Sequence, residues 1–175
     1  MVAMTAPEAT DAPSDRSKPR RRFTSLWGLK LLLVVLAGFL LIQLVPYGVD
    51  DPPDRNEPTW DSARTKHLFM QACSACHSNQ TKILWFEHVA PVKWYVANHV
   101  KEGRAALNID AWTTNPGREA DHAWGPLQDG SMPPGYYHYF GLHQDAKLTA
   151  KETRELIDGL RKTIAADPPT GAGGH

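Results

Sequence analysis

The sequence is poor in cysteine: only Cys73 and Cys76 occur in 175 residues. A small exported domain stabilised by disulfides would carry more cysteines at wider spacing, so a disulfide framework is excluded. A structural zinc site needs four ligands, and the sequence has neither a second cysteine pair nor histidines at the usual paired spacing. Both cysteines therefore belong to a single local motif.

Motifs of several enzyme and binding classes are also missing. The sequence has no phosphate-cradling glycine loop, no nucleophile beside a base and no acid/base pair. Beyond residue 50 it has no run of Lys or Arg, which argues against nucleic acid as a partner. Alternating strand patterns are scarce as well, so a mostly α fold is predicted.

Charge is balanced overall but unevenly distributed. The formal net charge is zero, yet residues 1–30 carry six basic and three acidic side chains, and residues 50–175 carry 13 basic and 16 acidic ones. The two regions lie on either side of one apolar stretch, residues 26–45. Such an asymmetry across an apolar stretch is typical of a membrane protein.

The apolar stretch is long enough to span a bilayer. Its 20 residues would form a helix of about 30 Å, which matches the hydrocarbon thickness of a membrane. We predict a transmembrane anchor at residues 26–47, with basic residues 20–22 inside and the C-terminal part on the periplasmic side of the cytoplasmic membrane. A cleaved signal peptide is the alternative, although no A-x-A site follows the stretch. Both interpretations export the C-terminal part.

The exported part is predicted to hold one folded domain. Residues 1–25 and 167–175 have the composition of disordered tails. Residues 48–58 form a proline-rich linker, and the segment from residue 46 to 58 could extend by about 40 Å as polyproline II. The domain then occupies residues 59–166.

Three helices are predicted within this domain. The first covers residues 60–72, and the second covers residues 91–102 with Gly103 as its stop signal. The third begins at a capping box formed by Thr149 and Glu152. The segments between them are rich in Gly, Pro, Trp and Tyr.

The five residues CSACH at positions 73–77 carry the chemistry. Two thiols separated by two residues, Cys73 and Cys76, reach the two vinyl groups of a haem and form thioethers, and the imidazole of His77 then binds the iron. The motif predicts one covalently bound haem c. Zinc and a redox dithiol remain alternatives, but a thioredoxin-like dithiol requires a βαβ setting. A local disulfide would leave His77 without a role.

The sixth iron ligand is less constrained by the sequence. Met132 lies in the segment GSMPPG at residues 130–135, where the following prolines stiffen the loop. Its thioether is therefore the favoured distal ligand. Met132 could instead fill a gap in the core, and His99, His138 and His143 are competing ligands.

From residue 46 to about residue 160, the chain resembles the bacterial haem-binding-domain family of membrane-anchored, mono-haem c-type cytochromes. The matching residues are Pro46-Tyr47-Gly48, Trp60-Asp61-Ser62, Cys73 to Asn79, Trp85, Val89 to Trp94, His99, Gly103-Arg104, Asn108, Trp112, Met132-Pro133-Pro134, Tyr137, His143, Ala146, Leu148 and Glu152. The resemblance implies haem on both cysteines, His77 as proximal ligand and Met132 as distal ligand. It also implies a small cytochrome c-like helical domain behind one N-terminal transmembrane helix.

Several further side chains are predicted to surround the haem. A domain of about 110 residues has little core of its own, so its aromatic residues are expected to wall the crevice. They are Trp85, Trp94, Trp112, Trp124, Tyr136, Tyr137 and Tyr139. Arg104 and Asn108 are predicted propionate partners, because Arg offers fixed donors to carboxylates; a solvated role for Arg104 is the alternative.

Two axial ligands from the protein would leave no coordination site for a substrate. We therefore predict an electron carrier rather than an enzyme, which exchanges single electrons with redox proteins that the sequence does not identify. A peroxidase-like haem with a labile sixth ligand is the alternative, with His99 or His143 as acid/base. A gas-binding or sensor subunit is a third possibility.

Overall fold

The computed structural model describes residues 23–170, without the side chains of residues 23–25 and 139–141. The predicted tail at residues 1–25 lies almost wholly outside the described part, as does the end of the predicted tail at residues 167–175. The chain divides near residue 40 into a small N-terminal unit and a larger C-terminal unit.

The N-terminal unit is built on one apolar helix. Helix α1, Phe23–Gln43, contains a window at Leu26–Gln43 with mean hydropathy 2.2, and side chains from residue 26 to 40 are exposed. An exposed helix that is apolar on all faces is not the core helix of a soluble domain. By length and composition, α1 is able to cross a membrane.

The C-terminal unit is mostly helical, which confirms the predicted fold class. Five α-helices follow α1: α2 Ala63–Ala72, α3 Ser74–His77, α4 Val92–Ala106, α5 Gly125–Gln128 and α6 Ala150–Ala166. Short 3₁₀ turns lie at Trp85–His88, Ala120–His122, Gly135–Gly141 and Gln144–Ala146. Between residues 23 and 170 the only β pairing is an isolated bridge of Asn56 with Ala111.

The predicted helix boundaries are right in one case and wrong in two. The capping box of α6 is confirmed: Thr149 accepts the N–H of Glu152, and the Glu152 carboxylate accepts the N–H of Thr149. Helix α2 begins three residues later than predicted because Ser62 provides its N-cap. Helix α4 does not stop at Gly103 but continues to Ala106.

The core lies where α2 and α6 pack together with the segment that follows α4. Its buried apolar residues are Leu68, Phe69, Leu107, Ile109, Trp112, Ala120, Leu127, Leu156 and Leu160. Gly159 allows the closest approach of the two helices, since a Cβ there would lie 2.1 Å from the Thr65 hydroxyl oxygen. The indole N–H of Trp112 donates to the Asp167 carbonyl at 3.0 Å and fixes the end of α6.

The proline-rich segment lies against the domain rather than extending away from it. Asn56 donates its N–H to the Asp110 carbonyl at 2.7 Å, and its own carbonyl accepts the N–H of Trp112 at 2.9 Å. The Arg104 guanidinium binds the Asp50 carbonyl and the Asp51 carboxylate. These contacts exclude a fully extended tether over residues 50–56.

Candidate cofactor site

A mostly apolar cavity of about 570 Å³ opens on the C-terminal unit. Its volume lies in the range of pockets that enclose small organic ligands and cofactors. Cys73, Cys76, His77 and Met132 all contribute to the lining. Residues 59 positions apart in the chain, from 73 to 132, thus meet at one cavity, as the motif and the methionine loop together predict.

His77 is held in a defined orientation by two carbonyl groups. Its Nδ1 lies 3.0 Å from the Gly103 oxygen and 3.1 Å from the Leu107 oxygen. A carbonyl only accepts hydrogen bonds, so Nδ1 carries the hydrogen and the lone pair of Nε2 is available. Burial lowers the pKa of His77, against the opposing effect of the two hydrogen bonds. The side chain is therefore a neutral imidazole at pH 7, the form that binds a metal.

Gly103 brings helix α4 onto the backbone of the cysteine motif. A Cβ at Gly103 would lie 2.6 Å from the Cys76 carbonyl oxygen and 3.1 Å from the Cys76 Cβ. Only glycine fits this distance, which explains why the residue occurs inside a helix that it does not end. The motif is also fixed from its other side, because the His77 carbonyl accepts the N–H of Ile109 at 2.9 Å.

The two cysteines are protonated thiols at neutral pH. Burial, with the nearby Cys76 as a smaller cause, raises the pKa of Cys73 to about 12. Burial also raises the pKa of Cys76, where the charge of Glu87 adds to the effect and that of Arg104 opposes it. Thiols of this kind are poor thiolate nucleophiles. The redox-dithiol interpretation is correspondingly weakened.

Met132 is presented by a short loop that follows α5. Its N–H donates to the Pro126 carbonyl at 3.0 Å, and the neighbouring Ser131 N–H donates to Asp129 Oδ1 at 2.9 Å. The Met132 residue is 39 % exposed while it lines the cavity, so it does not fill a gap in the buried core. The loop therefore places a thioether at the rim of the cavity.

Two of the three competing histidines also line the cavity. His99 donates from Nδ1 to the Tyr95 carbonyl, 2.9 Å away, and His143 stacks on Tyr137 with ring centroids 4.1 Å apart. His143 adopts the left-handed conformation, with φ of 48°, and its Nε2 lies 3.6 Å from Glu87 Oε1. His138 is not part of the lining.

The predicted propionate partners, Arg104 and Asn108, form hydrogen bonds with other parts of the protein. The Arg104 Nε donates to the Ser78 carbonyl at 2.8 Å, and its Nη2 donates to the Thr81 hydroxyl at 3.0 Å. Asn108 is buried, and its amide donates to Asn79 Oδ1 at 3.0 Å. Both side chains therefore hold the segment that follows His77, and neither lines the cavity.

The predicted aromatic wall is only partly assembled. Tyr136 and Tyr137 line the cavity, whereas four tryptophans of the described region do not: Trp85, Trp94, Trp112 and Trp124. Trp85 is 81 % exposed, and Trp112 belongs to the core. The Trp94 indole N–H is buried and has no acceptor within residues 23–170. Tyr139 lies among the residues whose side chains are not described.

Several residues that line the cavity were not predicted from the sequence. Phe86, Glu87, Lys82 and Arg118 line the cavity, yet none belongs to a recognisable motif. Lys82 and Arg118 are cationic groups at a mostly apolar cavity and are thus the lining residues suited to bind carboxylates. Lys82 and Arg118 are far apart in the sequence, so the sequence alone does not show that they line the same cavity.

The comparisons with known proteins agree with this geometry. The family described as a haem-binding domain matches residues 37–162, which is more than two thirds of the chain. No curated protein and no solved structure matches. The donor set fits a haem: an oriented neutral imidazole, two thiols and a thioether at one apolar cavity.

Proposed function

Because the chain belongs to the family of haem-binding domains, we propose that it is a membrane-anchored, mono-haem c-type cytochrome. It carries single electrons on the outer face of the cytoplasmic membrane. A haem bound in the cavity would supply an iron centre that gains and loses one electron. The residues of the chain attach, orient and enclose that centre.

The orientation of His77 is the observation that carries the proposal. Its Nδ1 hydrogen is bound by the carbonyls of Gly103 and Leu107, which leaves Nε2 for an axial bond. Such an outer hydrogen bond fixes the ring and raises the basicity of the ligand. An imidazole held in this way beside two thiols, in a cavity lined largely by apolar groups, is suited to bind the iron of a haem.

Covalent attachment explains the two thiols. Cys73 and Cys76 would hold a haem through two thioether bonds, one from each thiol to a vinyl group of the cofactor. The high pKa values of Cys73 and Cys76 keep the thiols protonated until they react. Two thioethers would retain the cofactor even though the cavity is open at its rim.

Met132 is the distal ligand that the cavity favours. Its loop is fixed by the bond to Pro126 and followed by two prolines, so the thioether is restrained. His77 and Met132 would together supply two protein ligands to the iron and would raise the reduction potential of a haem. Both properties suit electron transfer rather than substrate activation.

Helix α1 is proposed as an uncleaved anchor. Its apolar window is followed by Asp50 and Asp51 and preceded by Arg20, Arg21 and Arg22. The positive-inside rule then leaves the haem domain outside.

The test of haem attachment is the absorption spectrum of full-length protein from cells that mature c-type haem. We expect a low-spin spectrum whose chromophore resists acid–acetone extraction, and a one-electron redox titration. The double variant Cys73→Ala/Cys76→Ala should release its haem to acid–acetone. Colour that is fully extractable from the unaltered protein would refute covalent attachment.

The test of the distal ligand compares Met132→Ala with Ser131→Ala in the same loop. Loss of the methionine should produce a high-spin ferric spectrum and a lower potential, whereas the serine variant should match the unaltered protein. An unchanged spectrum in Met132→Ala would remove Met132 from this role. Membrane pellets washed with carbonate test the anchor, since an integral protein stays in the pellet.

A peroxidase-like haem is the second candidate, and one contact favours it. The pair of Glu87 and His143 lies at the cavity with Nε2 and Oε1 3.6 Å apart, where it could move a proton. This function requires an open sixth position. A high-spin ferric spectrum in the unaltered protein, together with peroxide turnover that His143→Gln abolishes, would replace the carrier proposal.

A further inference from the structure

Beyond residue 47, few large apolar side chains are exposed. Among residues 48–170 with described side chains, the large exposed hydrophobics are Trp85, Val92, Tyr95, Met132 and Tyr136. Trp85 is 81 % exposed and Tyr95 is 56 % exposed. Single exposed hydrophobic residues need no explanation, but a group of them marks an interaction surface.

Val92, Tyr95, Met132 and Tyr136 line the cavity, and Trp85 has an edge-to-face ring contact with Phe86, which also lines it. The ring of His99 lies 4.1 Å from that of Tyr95 and 5.8 Å from that of Tyr136, centroid to centroid. Val92 precedes Tyr95 by three residues on α4, which places both on one helix face. We call Trp85, Val92, Tyr95 and Tyr136 the rim patch.

Gln43, which ends α1 and belongs to the C-terminal unit, is hydrogen-bonded next to the rim patch. The Gln43 side chain donates to the Ala90 carbonyl at 3.1 Å and accepts the Ala90 N–H at 2.9 Å. Ala90 lies between Trp85 and Val92 in sequence. Farther along, the Tyr47 hydroxyl donates to Asn98 on α4. The last residue of the candidate membrane span is thus hydrogen-bonded to the backbone between two rim-patch residues.

The composition of the patch suits a phospholipid surface. Tryptophan and tyrosine prefer the headgroup region, where an apolar ring and a polar atom are both satisfied. Lys82 and Lys93 flank the patch, while the Glu87 side chain within it is only 11 % exposed. Accessible charge in this stretch is therefore mainly positive, which attracts phosphate groups of lipids.

We infer that the rim patch rests on the headgroups of the bilayer that α1 spans, an inference that depends on the proposed anchor. A phospholipid surface covers the patch because Gln43, the last residue of the candidate membrane span, is hydrogen-bonded to the backbone beside the patch. The mouth of the cavity then lies at the membrane surface. A redox partner reaches it along the bilayer, so the partner is itself bound to the membrane.

Photolabelling from the lipid tests this contact. The full-length holoprotein is reconstituted in phosphatidylglycerol/phosphatidylcholine vesicles that contain phospholipids with a diazirine either at the headgroup or in the acyl chain, illuminated, digested and analysed by mass spectrometry. We expect acyl-chain label on α1-derived peptides, and headgroup label on the peptides containing Trp85 and Tyr95 at least fivefold above the label on α6. The variant Trp85→Gln/Tyr95→Gln should lose most of the second signal.

Control variants and outcomes separate the inference from the anchor. Lys151→Gln changes a side chain that is also 81 % exposed, on α6, and should leave the labelling unchanged. Label on α1 with none above the α6 level at residues 85–95 would overturn the inference and leave the anchor intact. Absence of label on α1 would overturn both. A dimer of the reconstituted protein that Trp85→Gln/Tyr95→Gln abolishes, with no lipid label at residues 85–95, would assign the patch to self-association and overturn the inference.

Discussion

Substitution of Gly103 by alanine tests whether α4 positions the haem motif. The added Cβ would lie 2.6 Å from the Cys76 carbonyl oxygen, and ordinary contact begins at 3.4 Å. Helix and motif must therefore separate by about 0.8 Å. The neighbouring atom belongs to the backbone, so no side chain can rotate out of the way.

The energetic effect is the difference between two opposing contributions. Alanine is better than glycine inside a helix by about 1 kcal/mol. Overpacking of a close contact costs about 1–3 kcal/mol. We expect Gly103→Ala to lower the free energy of unfolding by up to about 2 kcal/mol.

The same displacement weakens the orientation of His77. The Gly103 carbonyl lies 3.0 Å from Nδ1, and an added separation of about 0.8 Å would take it beyond hydrogen-bond distance. His77 would then depend on the Leu107 carbonyl alone. We expect a lower reduction potential or a partly high-spin ferric spectrum in addition to the loss of stability.

Denaturant unfolding of the ferric holoprotein, with its absorption spectrum, measures both effects. The midpoint should fall with an unchanged slope, because the surface exposed on unfolding is the same. Gly159→Ala is the matched control: its Cβ would meet Thr65 at 2.1 to 2.8 Å in the α2–α6 contact, and neither residue lines the cavity. It should destabilise the fold and leave the spectrum intact. A Gly103→Ala protein with unaltered stability and spectrum would refute the reasoning.

Three further predictions concern other residues. Arg104→Gln should lower stability by about 2 kcal/mol, since charged hydrogen bonds are lost, but leave the potential unchanged; a large shift in potential would instead indicate a propionate contact. Thr149→Ala should cost about 1 kcal/mol in unfolding experiments, because the capping box with Glu152 is broken; an unchanged midpoint would contradict this. Burial lowers the folded-state pKa of His77, so the folded state binds fewer protons than the unfolded state. The contribution of His77 to stability is therefore complete above the unfolded pKa of about 6.5 and is lost as pH falls below it. Acid unfolding of apoprotein should show that loss, and His77→Phe should remove it.

The motif of the site could be recognised in the sequence because it is encoded locally. The spacing of Cys73, Cys76 and His77 places three functional groups within five residues, and no long-range contact is needed to recognise it. The start of α6 was equally local, since Thr149 and Glu152 cap the same helix turn.

The remaining roles depend on contacts between distant segments. Gly103 has the sequence signature of a helix stop, yet it serves a close approach to Cys76 that lies 27 residues away in the chain. Arg104 has the chemistry of a carboxylate partner, but two of its four acceptors, at Asp50 and Ser78, are backbone oxygens, which no side-chain pattern reveals. The sequence also does not show that Trp85 is exposed, because its neighbours in the sequence do not distinguish it from the other aromatic residues.

The attachment of residues 43–56 to the domain decides how a water-soluble fragment should be designed. A fragment that starts at residue 59, where the proline-rich segment ends, would leave the Arg104 guanidinium without Asp50 and Asp51 and the Trp112 N–H without the Asn56 carbonyl. A fragment that starts just after the apolar helix keeps these acceptors, including the contact of Tyr47 with Asn98. The proline-rich segment is therefore part of the folded domain, and a fragment that lacks it would be less stable.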